Sequence, residues 1–240
     1  MKSNLQFDKS ASTYNQYAKV QENLVKWGLG IHKPSIKENQ YVLELGAGTG
    51  LLTGFLKHLA SHYIASDQSK QMLKIGKGNH PELTWHQRDA WQISDCKKWD
   101  WIVSSSLLQW CPNPVDFFLR VNKSLKERGS HFHLFYSSPT LLELQKCGLE
   151  SPLSWHSPKD WENYALKSGF HSIQLFSHSK TFWHETAIDS IRSLHKLGAH
   201  RNQLTSYGKI KKIIQNYQSK YQSSNGIPST WNFSLMKAEI

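Results

Sequence analysis

Three closely spaced glycines at the end of an apolar stretch, with one acid after each of the next two stretches, are the residues whose types and spacing could do chemistry here. Val42-Leu43-Glu44-Leu45 runs into Gly46-Ala47-Gly48-Thr49-Gly50, and Leu51-Leu52-Thr53 opens a helical stretch behind it. Glycine lets a backbone turn sharply and come close to a bound ligand. The Gly-x-Gly-x-Gly spacing differs from the Gly-x-Gly-x-x-Gly of dinucleotide sites. No Gly-Lys-Ser/Thr follows, so the loop is not a P-loop either. Asp67 closes the next apolar stretch, in Ala65-Ser66-Asp67-Gln68, where a carboxylate can accept hydrogen bonds from both hydroxyls of a ribose. Asp89 follows the third stretch, in Gln87-Arg88-Asp89-Ala90.

The elements that must position these residues alternate. Strands are expected at Tyr41–Leu45, Tyr63–Ser66, Leu83–Gln87, Trp101–Ser105, Phe132–Tyr136, Ile173–Phe176 and Thr230–Met236. Helical stretches at 51–60, 69–77 and 115–126 lie between them. Phe7, Ala11, Tyr14, Ala18 and Val25 recur on one helical stripe over 7–27, with Asp8 as a candidate N-cap. Residues 184–221 are rich in helix formers. Strands alternating with helices imply an α/β fold whose mostly parallel sheet is covered on both faces. One domain is expected over 1–240: a helical cover at 1–33, a ligand-binding core at 41–180, a helical lid at 184–221 and a last strand at 230–238.

Composition narrows the setting. The first residues lack the apolar core of a signal peptide, and no apolar run approaches the ~18 residues needed to span a bilayer. Cys96, Cys111 and Cys147 form neither a zinc pattern nor a disulfide framework, so a reducing cytoplasm is expected. Lys plus Arg number 29 against 18 Asp plus Glu, a net charge of +11 that favours a negatively charged partner. His131 and His133 would share one strand face, yet no third ligand lies at a recognisable spacing, and no metal is expected.

The glycine loop and its two acids resemble the cofactor site of class I methyltransferases dependent on S-adenosylmethionine, a Rossmann-like fold with seven strands. That resemblance implies S-adenosylmethionine as cofactor, with Asp89 reaching the adenine amino group. Glu44, Gly46, Ala47, Gly48, Gly50, Asp67, Gln68, Asp89, Ala90 and Ser104 become its candidate contacts. Glu44 would orient the loop or approach the sulfonium, or else satisfy nearby backbone N–H groups. Trp91 and Trp110 would border the pocket. After the fourth strand the chain reads Ser104-Ser105-Ser106-Leu107-Leu108-Gln109-Trp110-Cys111, without the Asn/Asp-Pro-Pro-aromatic of amino-methylating enzymes or a Pro-Cys nucleophile. Base methylation is disfavoured.

Within that class the chain resembles the malonyl-acyl carrier protein O-methyltransferases of biotin synthesis. The resemblance rests on Phe7 to Gln21, on Gln109-Trp110 with Asn113, on Leu142-Glu143-Leu144, and on Ser190 to Ala199 followed by Leu204-Thr205. It implies methylation of the free carboxylate of a malonyl group held by an acidic carrier protein, with Tyr14 and Arg192 holding that carboxylate. The chain departs from the family at Ser154, where an Arg is common, and at Thr230-Trp231-Asn232, where Thr-Tyr-His is usual. Arg201 is then an alternative cation. A methyltransferase of another small acid or a quinone-like metabolite, and an RNA-binding protein on this fold, are the competing readings. A monomer is expected, without membrane or stable nucleic-acid partners.

Overall fold

A computed structural model describes residues 19–151, 155–196 and 207–240. Seven strands form one sheet: β1 (Tyr41–Leu45), β2 (His62–Asp67), β3 (Thr84–Gln87), β4 (Trp99–Ser105), β5 (Leu125–Tyr136), β6 (His171–His184) and β7 (Ile227–Glu239). Their order is β3-β2-β1-β4-β5-β7-β6. The first five run parallel, with Glu44 level with Ala65 on one side and Val103 on the other. β7 is antiparallel to both neighbours, pairing Tyr136 with Phe233 and Lys180 with Trp231. The order reverses direction at β1, and such a switch point opens a crevice outside the carboxyl ends of the strands.

Helices cover both faces. These are α1 (Lys19–Ile31), α2 (Leu51–Leu56), α3 (Lys70–Asn79), α4 (Pro114–Ser124), α5 (Leu142–Lys146), α6 (Pro158–Lys167), α7 (Ala187–Lys196) and α8 (Tyr207–Tyr221). Alternation along the strands sorts the core into two layers. Val42, Ala65, Val103, Phe132 and Leu134 pack with Leu24 and Val25 of α1, Leu52 and Leu56 of α2, and Ile213 and Tyr217 of α8. Leu43, Leu45, Ile102, Phe135 and Met236 face Phe117, Phe118 and Val121 of α4 and Trp161 of α6. Each fully buried side chain of this size contributes about 1.5–3 kcal/mol. Gly28 lets α1 lie close on β5: a Cβ there would stand 2.3 Å from Leu134 Cδ2.

The helix expected over 7–27 is present from Lys19 and continues to Ile31, while 7–18 fall outside the described residues. β5, β6 and β7 run beyond their expected ends. β6 is an edge strand, and its second half, Ser177-His178-Ser179-Lys180, alternates polar groups on a largely exposed ribbon that hydrophobic patterning does not register. The helical stretch expected over 184–221 contains α7 and α8. No described helix is long and apolar enough to cross a membrane.

Candidate functional site

β1 delivers the chain into the glycine loop at the carboxyl edge of the sheet. Gly46, Gly48 and Gly50 have φ of 62°, 57° and 90°, the left-handed region that other residues avoid. A Cβ on Gly46 would lie 2.8 Å from Leu107 Cδ1, and one on Gly50 would lie 2.6 Å from His80 Cδ2. A Cβ on Gly48 would meet nothing within 4 Å. The outer glycines thus let the loop pack on the protein, and the middle one faces open space.

Asp67 ties this loop to β2. Its Oδ2 accepts from the Gly48 N–H at 2.8 Å and its Oδ1 from the Ser69 N–H at 2.8 Å. The Ala47 N–H donates to the Ser66 carbonyl at 2.9 Å. A second brace comes from the segment after α3. Asn79 Nδ2 donates to the Thr49 carbonyl at 2.8 Å, and His80 Nε2 stands 3.0 Å from the Gly50 carbonyl. A carbonyl only accepts, so His80 Nε2 carries the hydrogen and Nδ1 accepts from Lys57 Nζ at 3.1 Å. Trp85 Nε1 donates in turn to the His80 carbonyl at 3.1 Å. Asn79, His80 and Trp85 were not among the sequence candidates. They lie about thirty positions from the loop, and no local pattern links them to it.

Glu44 lies beneath the loop, 1% exposed. Its Oε2 accepts from the Thr53 hydroxyl and the Tyr63 hydroxyl, each at 2.6 Å. Burial pushes its carboxyl up to about 7, against the pull of those two hydroxyls and the Thr53 backbone amide. Tyr63 is raised well above the ordinary phenol value, by burial first and then by Glu44. Of the roles considered for Glu44, the structure shows it bonded within the core to groups of β2 and α2.

Asp89 follows β3 and caps the short 3-10 turn Ala90–Gln92, its Oδ1 accepting from the Trp91 N–H at 3.0 Å. Its Oδ2 has no partner among the described residues. Gln68 is half-buried beside Asp67, and its carbonyl accepts from Gln87 Nε2 at 3.1 Å. Trp91 packs edge-on against Phe117, at 5.5 Å between ring centroids, and Trp110 is half-buried. Gly48, Asp67 and Asp89 thus share the carboxyl edge of β1, β2 and β3. A nucleoside fits this arrangement: open space at the central glycine for close approach, and carboxylates beside it for hydroxyl and amino groups.

Two candidates are placed differently. Ser104 shares a strand face with Ile102, and its Oγ lies 2.8 Å from His133 Nδ1 in the buried layer under α4. The period of two along β4 turns Ser105 instead to the loop's side, with Val103. His131 and His133 stack at 4.8 Å against Phe117, Phe118 and Phe170; burial holds His133 down to about 3 and His131 well below its ordinary value. Among the described residues no group of three His, Cys, Asp or Glu could hold a metal. Arg192 projects from the exposed face of α7, its side chain 69% exposed and 3.5 Å from Asp189, opposite the buried Ile191 and Leu194. The structure does not bring it into the crevice. Tyr14, Ser154 and Arg201 lie outside the described residues.

The crevice continues past β4. Ser106 adopts φ 55°, its hydroxyl 3.4 Å from the Tyr136 hydroxyl, and Gln109 Nε2 donates to its carbonyl at 2.7 Å. Tyr136 packs on Trp231 at 4.8 Å. Asn232 locks the ends of β5 and β7, donating from Nδ2 to Ser137 Oγ at 2.8 Å and to the Ser138 carbonyl at 3.1 Å.

Residues 43–131 match the family model described as a methyltransferase domain. Over the whole length, the malonyl-[acyl-carrier protein] O-methyltransferase of Hahella chejuensis is 22% identical across 94% of this chain and 85% of that protein. A solved methyltransferase from Bacillus halodurans superposes with a TM-score of 0.67 at 17% identity, covering 90% of this chain and 97% of that one. Phosphoethanolamine N-methyltransferase 2 of Haemonchus contortus, solved with S-adenosyl-L-methionine, gives 0.61 at 16% identity, over 97% of this chain and 57% of that one. With its loop, its acids and its strand order, the chain has the fold of class I methyltransferases, and it is a methyltransferase that uses S-adenosylmethionine.

Proposed function

We propose that the enzyme methylates the free carboxylate of a malonyl group carried by an acyl carrier protein, giving the methyl ester. The observation that carries this reading is the likeness to proteins of that name over 94–97% of the chain, at 22–25% identity. The chemistry of the crevice agrees with it. A carboxyl titrates near ~4 and is already ionised at neutral pH, so the acceptor needs no general base. Ser105 to Trp110 offers hydroxyls, an amide and an indole, with no carboxylate or imidazole to take a proton. Glu44 is engaged below the loop.

The cofactor supplies an electrophilic methyl on a sulfonium. Asp67 and Asp89, with the face of Gly48, would hold its nucleoside, and Ala47, Gln68 and Ala90 would line it. The remaining task is to align a carboxylate oxygen with the methyl carbon and exclude water, which can supply as much as ~7–11 kcal/mol for well-aligned reactants. The segments 1–33 and 184–221 would close over the crevice as cover and lid. Tyr14 stays a candidate for the acceptor carboxylate through the family resemblance; Arg192 can serve only if α7 turns its exposed face inward. The test is mass spectrometry of malonyl-carrier protein after incubation with enzyme and cofactor. One added methyl group, removed by mild base as an ester, supports the reading. An unchanged mass with intact carrier overturns it.

A further inference from the structure

β7 runs antiparallel to β5, so the connection that feeds it must arrive at the carboxyl edge of the parallel strands, where the glycine loop lies. α8 is held at that edge. Tyr217, fully buried, donates its hydroxyl to the Pro228 carbonyl, and Gln218 Oε1 accepts from the Ala187 N–H at 2.8 Å. Ile213 lies under Gly148, just past the end of α5. α5 itself begins shortly after the end of β5 and is tied to β7 through Glu143, which accepts from the Thr230 hydroxyl and amide.

The outward surface of this unit is dominated by positive charge. α8 contains Lys209, Lys211, Lys212 and Lys220 and no acid, and α5, which packs against it, adds Lys146. All five lysines are exposed. The two acids of the neighbouring segment are engaged, Glu143 with Thr230 and Glu150 with Lys209 at 2.9 Å. Lys146, Lys211, Lys212 and Lys220 form no ion pair with a described carboxylate. Between them the helix shows Gln215, Asn216 and Ser219, all exposed and uncharged. Among the described residues the face has no arginine fork, and its one described ring at the surface, Tyr221, is half-buried beneath Lys220. α3 is also rich in lysine, with Lys70, Lys74 and Lys77, but it joins β2 to β3 at the opposite end of the strand order from β5 and β7.

We infer that the outer face of α8, together with Lys146, is the dock for the acidic carrier protein, setting it down at the crevice so that its acyl arm reaches the transferable methyl. This rests on the function proposed above. The dock acts on encounter and affinity rather than on methyl transfer, because its lysines face solvent and none lines the crevice. Charged surfaces of this kind govern association rate and specificity, and weaken as salt shortens the Debye length.

The experiment uses the full chain with Lys211→Glu/Lys212→Glu, and Lys74→Glu/Lys77→Glu as the equal-charge comparison. Binding is measured to carrier protein without any acyl group, and methyl transfer to malonyl-carrier and to malonyl-coenzyme A. Reversing the α8 pair should lower carrier affinity by about ten-fold or more at ~0.05 M salt and far less at ~0.5 M. Turnover of malonyl-coenzyme A should change by less than about two-fold, and the α3 pair should do little to either. Equal losses from the two pairs would mean that net charge alone matters, and would overturn the dock. So would wild-type carrier affinity in the α8 variant, the absence of any carrier binding by the wild type, or tighter α8-dependent binding of RNA than of carrier. If the carrier binds through α8 but no malonyl group is methylated, the dock stands and the acceptor assignment fails.

Discussion

Replacing Glu44 by glutamine should remove a pH dependence of stability that originates under the glycine loop. Burial raises the Glu44 carboxyl from its ordinary 4.5 to about 7, while the Thr53 and Tyr63 hydroxyls oppose the rise. Between those values the folded protein keeps a proton that the unfolded chain releases. A group raised in this way contributes stability that is fully present below pH 4.5 and is lost as pH climbs through 7. At about 1.4 kcal/mol per pH unit, the loss across the window amounts to about 3 kcal/mol. Glutamine has nearly the same shape and does not titrate. Its oxygen can accept from one hydroxyl while its amide donates to the other, since a hydroxyl serves in either role. The assay is urea unfolding of wild type and Glu44→Gln at pH 5, 6, 7 and 8. The stability of wild type relative to the variant should fall steadily across the series, by about 2–3 kcal/mol in all. Parallel curves would show that Glu44 is ionised in the fold throughout, and would refute the argument.

Two further substitutions separate the loop's conformation from its ligand contact. Gly48→Ala places a methyl group in open space at φ 57°, so the strain should cost about 1–2 kcal/mol in unfolding experiments. Affinity for S-adenosylhomocysteine by calorimetry should fall about ten-fold or more, because a ligand pressed on that face is displaced; unchanged affinity would put the ligand elsewhere. Asp67→Ala removes the acceptor for both the Gly48 and Ser69 amides. It should lower stability by about 2 kcal/mol and weaken S-adenosylhomocysteine by about 1–3 kcal/mol. A stability loss with intact affinity would leave Asp67 a brace for the loop alone.

Much of the sheet was legible in the sequence because buried parallel strands are largely apolar runs, and β1, β2 and β4 read that way. The loop announced itself by composition, since only glycine tolerates three left-handed residues so close together. Ser104 was misplaced for a reason of parity. One step along a strand changes the face, and a motif position does not say on which step the loop begins. The brace of Asn79, His80 and Trp85 had no sequence signal, because long-range contacts to backbone carbonyls leave no periodicity. Arg192 shows the limit of a family resemblance for a lid. Position in the chain carries over, but the face of α7 that turns inward depends on Ala187, Ile191 and Leu194 packing as they do here.

The place of β7 also sets the order in which the molecule can be completed as it leaves the ribosome. β7 lies between β5 and β6, yet its residues, 227–239, are synthesised after both. Until they emerge, β5 presents one bare edge and β6 has no strand beside it at all. Chains grow at about 5–20 residues per second, and exposed edges of this kind are where nascent proteins associate wrongly. The wait covers the synthesis of α7 and α8 as well as β7. The nascent β6, with Phe176 and Trp183 on its surface, is therefore the stretch in most need of a chaperone during translation.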